Sequence, residues 1–406
     1  MKLRGLKPAV YWSGILSGRI NCTIQGASFG RERIEMAESK DALFDKAKRY
    51  ASLKYILWFL DTLYVLFLLW LFLGLGLSKL FEQRVSALGT GNIFILPVYL
   101  FILLFFYYLL DFPLNYYRSY CLEHKFCLSS QNFRAWFFDQ LKAGMLSYAI
   151  GLILLSVFYF LLKHYQSVWW LLASLFWIFF SLVLAKLVPV IIIPLFFKYK
   201  KLQDFALRER IMNLASKMKV KILDCFEIDF SKKTLKANAA FVGWGATRRV
   251  ILADTLKDKY TYDEIEVILA HEFAHYKLKH LLKLLLVNAS VIVACFYLIF
   301  KTSALLLRFF GLSSLQELAA LPLVILYFVV LGILMQPFEN YMSRRLERHA
   351  DRMALEATGS KEAFISMMEK LAAQNLSDRN PHPLIKFFFF DHPPIAERVA
   401  AAQDLK

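Results

Sequence analysis

The chain has 406 residues, of which 58% are hydrophobic and 16% aromatic. A water-soluble domain of this length is much less apolar, so the composition excludes an ordinary soluble protein. The formal net charge is +17. Nucleic-acid binding is one explanation of a basic chain, but in a chain this apolar the charge favours basic segments at the cytoplasmic face of a membrane. We therefore expect an integral membrane protein that contacts the lipid bilayer and binds no nucleic acid.

Six runs of about 20 apolar residues predict membrane-spanning helices. They fall at 55–77, 93–112, 145–162, 168–197, 281–300 and 318–338. The fourth run carries Pro189 and Pro194, which predict a kink or an irregular exit. The runs divide the chain into an N-terminal cytoplasmic segment, four spans with a cytoplasmic loop at 113–144, a first long segment outside the spans, two further spans and a second long segment outside the spans. The boundaries of these five parts are 1–54, 55–197, 198–280, 281–338 and 339–406.

Lys and Arg residues are distributed unevenly between the predicted spans. Three segments are rich in them: 1–54 has eleven, 113–144 has four and 198–280 has seventeen. The segments between these are poor in them: 78–92 has two, 163–167 has one and 301–317 has two. Because positively charged loops stay on the cytoplasmic side, this alternation predicts a cytoplasmic N-terminus. Segments 198–280 and 339–406 then both lie on the cytoplasmic side. Asp61 falls inside the first span, where a charged residue is a functional candidate by default, and the sequence does not decide its role.

The stretch YTYDEIEVILAHEFAHYKLKH, which begins at residue 260, predicts a helix with a metal-binding face. Thr261 and Glu264 form a capping-box pattern that marks the start of the helix. His271 and His275 are one turn apart on the same face, so both imidazoles can reach one ion. Glu272 follows the first histidine, as in the HExxH motif of zinc hydrolases. The alternative is an ordinary helix that happens to contain two histidines.

A catalytic zinc site needs a third protein ligand, and the sequence offers two candidates. His280 lies nine residues after His271 and points about half a turn away in a continuous helix, so it fails unless the helix breaks. Glu347 and Asp351 share a face of a later helix, and two spans return that helix to the same side of the membrane. Glu347 can then ligate the ion, and Asp351 can accept the outer N–H of a ligating histidine. The alternative is a salt-bridged helix in which Glu347 pairs with its neighbours Arg344, Arg345 and Arg348.

With these residues in place, the chain resembles the type I CAAX prenyl protease family, the multi-spanning membrane zinc endopeptidases of the gluzincin class. Six stretches match in the expected order between about residues 41 and 400. They are PLNYYRSYCLEHKFCLSSQNFRAWFFDQLK, VPVIIIPLFFKYKKLQD, KANAAFVGWGATRRVILADTL, HEFAHYKLKH, SRRLERHAD and DHPPIAERV. The resemblance implies a predominantly α, polytopic integral membrane protein with a small α+β zinc-metalloprotease domain on the cytoplasmic side.

The resemblance also implies the metal centre. One catalytic zinc ion (Zn²⁺) would be held by His271, His275 and Glu347. Glu272 would be the general base, and Asp351 would lie behind the ligands as a supporting residue.

For substrate binding, the resemblance places Asn238 and Ala239 on an edge strand beside the cleft, where an extended peptide can add as a further strand. It implies that His392 faces the zinc and stabilises the developing oxyanion. Arg398 would position the DHPP segment that carries His392.

The chain departs from the family pattern in three places. The family has a seventh membrane helix at the N-terminus, whereas residues 1–40 here contain only the short stretch PAVYWSGILSG, which Gly interrupts. We expect that helix to be missing, amphipathic or replaced. Ala274 stands where Gly is common, and Lys279 also differs, although neither is a ligand position. The strand motif is Asn-Ala-Ala, where the family often has an aromatic third residue.

The expected function is hydrolysis of peptide bonds in peptide or protein substrates by an integral membrane zinc metalloendopeptidase. Two roles remain open: trimming of a prenylated C-terminal motif, and clearance of damaged or stalled membrane proteins. The expected location is the bacterial inner membrane, or the endoplasmic reticulum membrane in a eukaryote. The alternative is a catalytically silent membrane scaffold or transporter, which the intact HExxH motif and Glu347 disfavour.

Overall fold

The computed structural model describes residues 40–89, 92–243 and 248–405. Its helices are α1 Lys40–Gly74, α2 Leu77–Ser86, α3 Asn92–Tyr116, α4 Leu122–Lys125, α5 Phe133–His164, α6 Trp169–Leu187, α7 Ile193–Phe196, α8 Phe205–Lys217, α9 Asp254–Lys257, α10 Tyr262–Lys277, α11 His280–Phe309, α12 Leu321–Thr358, α13 Lys361–Asn375, α14 Pro383–Phe389 and α15 Ile395–Asp404. Its strands are β1 Tyr199–Lys201, β2 Asp224–Ile228, β3 Ala239–Val242 and β4 Arg249–Ala253. The expectation about the N-terminal stretch PAVYWSGILSG lies outside the described residues.

Within the described residues, six helical segments are long and apolar enough to cross a membrane, so the predicted number of spans is confirmed. They are Ala42–Gly74, Ile93–Lys125, Phe133–His164, Trp169–Phe196, His280–Phe309 and Leu318–Thr358. The last segment has 41 residues, about twice the length needed to cross a bilayer. The excess length carries Glu347 and Asp351 past the apolar run on the same helix. Residues 113–144 are also largely helical, with 126–132 connecting the flanking helices.

Prolines coincide with irregular turns in two spanning segments. Pro189 lies in a π-helical turn, Val188–Ile192, that separates α6 from α7, as the sequence predicts. Pro113 lies near the end of α3, just before a second π-helical turn, Tyr117–Cys121. Proline has no amide hydrogen and clashes with the carbonyl one turn earlier, so the regular hydrogen-bond ladder cannot continue through it.

The charged Asp61 of α1 has a partner in the second span. Arg118 donates a hydrogen bond from Nη1 to Asp61 Oδ2, which ties α1 to the turn after α3. A charge inside an apolar segment is costly unless it is paired. The structure therefore gives Asp61 a structural role.

A four-stranded sheet with the order β1-β2-β4-β3 follows the fourth span. β2 and β4 are parallel, whereas β1 and β3 run antiparallel to their neighbours. β3 is an edge strand, and no described strand pairs with its outer side. The ring of Phe241 on β3 lies 5.1 Å from that of Phe273 on α10. The sheet thus places an open strand edge beside the HExxH helix.

The predicted capping box begins α10. Thr261 Oγ1 accepts the N–H of Glu264 at 3.3 Å, and Glu264 Oε2 accepts the N–H of Thr261 at 2.8 Å. Glu264 is only 2% exposed, and it also pairs with Lys370 and Ser366 of α13, at 2.7 Å and 2.6 Å. These contacts fix the helix start against α13 and thereby orient the histidines two and three turns later.

α10 and α12 pack closely because small residues line their contact. Ala270 and Ala274 of α10 and Ala350 and Ala354 of α12 are fully buried in one hydrophobic core. A short side chain at each of these positions lets the two backbones approach. Ala274, where the family often has Gly, therefore lies in this helix contact and not at the ligand face.

Candidate active site

Three predicted ligands converge between α10 and α12. The Nε2 atoms of His271 and His275 are 3.0 Å apart. Glu347 Oε2 lies 3.2 Å from His271 Nε2, and Glu347 Oε1 lies 3.1 Å from His275 Nε2. One ligand atom from each residue lies within 4.8 Å of the others. The two histidines and the distant acid therefore face one point, although two spans separate them in the sequence.

The charge distribution of this cluster favours a bound cation. Burial lowers the pKa of His271, but hydrogen bonds to Asp351 and Glu347 outweigh burial and raise the pKa to about 9. Glu347 Oε2 is buried and lies 3.2 Å from His271 Nε2 and 3.4 Å from His392 Nε2. Two imidazole nitrogens and a carboxylate that face one another need a positive charge between them. This nitrogen and oxygen donor set suits a transition-metal ion.

Asp351 and Arg398 support the first histidine from behind. His271 Nδ1 lies 2.9 Å from Asp351 Oδ1. Arg398 of α15 donates from Nε to Asp351 Oδ2 at 2.8 Å and from Nη2 to Oδ1. A carboxylate behind a ligating histidine fixes the tautomer and orientation of the ring. Asp351 thus lies behind His271, and Arg398, which was expected to position the DHPP segment, holds Asp351 and ties α15 to the site.

His280 contacts the site in a way that sequence reasoning missed. The helix does break: Lys279 adopts a left-handed conformation with φ 54°, and α11 begins at His280. The break turns His280 toward the outer side of His275, with their Nδ1 atoms 3.1 Å apart. His280 is 1% exposed. It is therefore a partner of His275 Nδ1 and not a third ligand.

The arginines around Glu347 do not neutralise it. Arg344 is 5% exposed and donates to the carbonyls of Lys386 and Phe390. Arg348 pairs with Glu397 at 3.6 Å. The interpretation of this helix as a salt-bridged surface helix is therefore wrong at Glu347, whose carboxylate faces the histidines.

The run of four Phe residues at 387–390 contacts a membrane helix through its last two members, Phe389 and Phe390. Phe389 lies 4.8 Å from the ring of Trp58 and 5.1 Å from that of Tyr55, both on α1. Asn340 donates to the carbonyl of Phe388 at 2.7 Å. With the Arg344 contacts, this anchors the chain directly before Asp391 and His392 to α12.

His392 lies at the mouth of the cluster and is half exposed. Its Nε2 atom lies 3.4 Å from Glu347 Oε2, and its Nδ1 atom lies 2.9 Å from Asp391 Oδ1. Burial lowers the pKa of His392, but the hydrogen bond to Asp391 and the charge of Glu347 raise it overall. A ring held in this way can present an N–H to a negatively charged group at the cluster.

Glu272 is half-buried beside the histidines. Burial raises the pKa of its carboxyl group, while the charges of His271 and His275 oppose that rise. A carboxylate whose pKa is raised toward neutrality is a better proton acceptor than an exposed one. Its environment suits proton transfer.

Ala239 begins the edge strand β3, and Asn238 directly precedes it. Ala253 N donates to Asn238 O at 3.0 Å, so the backbone of Asn238 is turned toward β4. Opposed residues in an antiparallel pair alternate between bonded and non-bonded. The N–H and C=O groups of Ala239 and Phe241 therefore point to the open side of the sheet, whereas the carbonyl of Asn238 points to β4.

The fold and this site define a membrane-embedded metallopeptidase. Residues 35–198 match the family described as "CAAX prenyl protease N-terminal, five membrane helices", and residues 201–406 match "Peptidase family M48". The chain belongs to peptidase family M48. It is an integral membrane metalloendopeptidase that hydrolyses peptide or protein substrates.

Individual relatives are similar to this protein over most of its chain. It is 32% identical to the "Uncharacterized metalloprotease YhfN" of Bacillus subtilis over 97% of this chain and 92% of that protein. It is 29% identical to "CAAX prenyl protease 1" of Saccharomyces cerevisiae over 72% of this chain and 68% of that protein. The crystal structure of S. mikatae Ste24p superposes with a TM-score of 0.79 at 26% identity, covering 90% of each chain.

Proposed function

We propose that His271 Nε2, His275 Nε2 and Glu347 hold one zinc ion, and that this ion is the catalytic centre. The observation that carries the proposal is the convergence of these three groups at 3.0–3.2 Å. Two imidazoles and one carboxylate are the ligand set of several zinc peptidases, in which the fourth position stays open for water or substrate. Glu272 lies next to the first ligand and is not part of the converging set.

When bound, zinc supplies a Lewis acid that polarises the scissile carbonyl and acidifies a water molecule. Glu272 accepts the proton of the attacking water and delivers it to the leaving amine. His392 donates its N–H to the oxyanion of the tetrahedral intermediate. Asp351 and Arg398 keep the His271 ring in place throughout.

The proposed substrate is an extended peptide that adds to the open edge of β3. Ala239 and Phe241 would supply the backbone hydrogen bonds. The Asn238 side chain would contact the peptide from the start of the strand. Such strand addition takes its affinity from the main chain and its selectivity from neighbouring pockets.

A partly polar cavity lies next to Asp391. Its volume is about 250 Å³, and it is lined by Leu284, Val287 and Asn288 of α11, by Glu339, Asn340 and Ser343 of α12, and by Asp391. Polar residues on membrane helices face protein or water and not lipid. This cavity supports the proposal that the spans enclose a hydrated space next to Asp391 and His392. The excess of Lys and Arg in 198–280 supports a cytoplasmic position of the site.

The proposed substrates are membrane-anchored or prenylated proteins. The yeast relative is named a CAAX prenyl protease, whereas the bacterial relative carries only the name of a metalloprotease. Clearance of damaged membrane proteins is the competing role, because it requires the same chemistry.

One experiment separates these roles: the purified protein is given one C-terminal peptide with and without a prenyl group, and an unrelated unfolded protein such as casein. Cleavage that depends on the prenyl group supports C-terminal trimming, and cleavage of casein at many bonds supports clearance. No cleavage of any of the three would contradict the proposal and favour a catalytically silent scaffold or transporter.

We expect His280→Ala to weaken zinc binding by about 10- to 100-fold, the usual effect of losing a group behind a metal ligand. His280 is the described residue within hydrogen-bonding distance of His275 Nδ1. Competition with a chromophoric chelator measures the affinity directly. His349→Ala is the control, because this exposed histidine is 6.5 Å from the His280 ring and lies off the cluster. Equal affinities in both variants would refute the role of His280.

A further inference from the structure

The side chain of Asn375 closes the open edge of the sheet at one end. Asn375 Oδ1 accepts the N–H of Ala237 at 2.9 Å, and Asn375 Nδ2 donates to the carbonyl of Ala237 at 3.4 Å. Ala237 precedes β3 by two residues, so its backbone groups point to the same side as those of Ala239 and Phe241. One amide side chain therefore occupies both groups that a neighbouring strand would use at this position.

An asparagine is suited to this contact, because its amide carries one acceptor and one donor group side by side. The neighbouring Gln374 holds the same stretch of chain from another direction: its Nε2 atom donates to the carbonyl of Leu235 at 2.7 Å and to that of Thr255 at 3.3 Å. The end of α13 is thus fixed against the chain that enters β3. Among the described residues, none makes a comparable contact with the backbone of Ala239 or Phe241.

Asn375 also lines the same cavity as His392. A cavity of about 590 Å³ is lined by Asn375, His392 and Arg398, together with Lys54 and Trp58 of α1. A peptide that follows the β3 edge toward Ala237 meets Asn375 at the wall of this cavity. Beyond that point it has no free backbone partner on the sheet and must end or turn into the cavity.

We propose that Asn375 is an edge stop, a specificity-determining residue that fixes the register of a peptide on β3. The stop limits the strand pairing to Ala239 and the residues after it. On the side of the stop, the enzyme would therefore accept a chain end or a chain that turns away, and not a long extended segment. This inference rests on the proposed binding of substrate along β3.

The test uses a cleavable peptide that is N-methylated at one backbone position at a time, which removes one hydrogen-bond donor. With the unmodified enzyme, kcat/KM should fall by about 10-fold at positions two residues apart, which pair with Ala239 and Phe241. In Asn375→Ala, N-methylation at one further peptide position should also lower kcat/KM. This position lies two residues from the one that pairs with Ala239, and it would pair with Ala237. Asn375→Ser, whose shorter side chain cannot occupy both backbone groups of Ala237, should show the same gain.

The control is Gln374→Ala, which loses neighbouring contacts but leaves Asn375 in place, and it should keep the unmodified pattern. An unchanged pattern in folded Asn375 variants would overturn the edge stop, and unfolding of both variants would assign Asn375 to stability instead. If N-methylation lowers kcat/KM at no position in the unmodified enzyme, the proposed binding of the peptide along β3 is itself wrong.

Discussion

Glu272→Gln is expected to lower kcat/KM by about 10²- to 10⁴-fold, the usual contribution of a general base, without loss of bound metal. Glutamine has nearly the same shape as glutamate but cannot accept the proton of the attacking water. The metal should stay, because the converging ligand atoms belong to His271, His275 and Glu347. Metal content and peptide cleavage are measured on the same purified, detergent-solubilised sample.

A matched control is available on the same helix. Glu266→Gln makes the same chemical change four residues after the start of α10, where Glu266 pairs with Arg210 at 2.9 Å. This variant should keep both activity and metal. Full activity in Glu272→Gln would show that another group accepts the proton, and loss of metal in it would show that Glu272 holds the ion.

Glu347→Ala is expected to abolish peptide cleavage and to lower metal affinity by more than the roughly 10- to 100-fold typical of losing an outer partner. Glu347 supplies the carboxylate among the three converging groups. Its removal leaves two imidazoles and no carboxylate among the converging ligand atoms. Metal affinity is measured by chelator competition, and folding is measured by thermal unfolding of the metal-free protein.

The control for this change is Glu356→Ala on the same helix. The Glu356 side chain is 64% exposed and pairs only with Arg352 among the described residues, one turn away at 3.4 Å. An exposed pair of this kind contributes little stability, so this variant should match the unmodified protein. Tight metal binding by Glu347→Ala would mean that the third ligand lies elsewhere.

The spans and the HExxH helix could be predicted because each depends on residues that are close together in the sequence. Runs of apolar residues are sufficient to indicate a span. The capping box at Thr261 and Glu264 depends on residues three apart, and it forms as predicted. The even number of intervening spans allowed Glu347 to meet the histidines, and the family resemblance implied that it does.

Contacts that depend on a backbone irregularity or on tertiary packing could not be predicted in this way. Periodicity excluded His280 as a neighbour of the site in a continuous helix, and only the left-handed Lys279 brings it to His275. The contact of Asn375 with Ala237 joins positions 138 residues apart. His392 was expected at the site through family resemblance alone, because its place depends on α12 side chains that hold the carbonyls of the preceding segment.

The most direct test of the account is X-ray absorption at the zinc edge, measured on the purified protein. The account predicts one zinc ion per chain with two imidazole nitrogens at about 2.0–2.1 Å and carboxylate or water oxygens at about 2.0–2.2 Å. The imidazole signal should fall by half in His275→Ala. Sulfur ligands, an imidazole count that His275→Ala leaves unchanged, or no bound zinc would contradict the assignment of His271, His275 and Glu347 as the metal ligands.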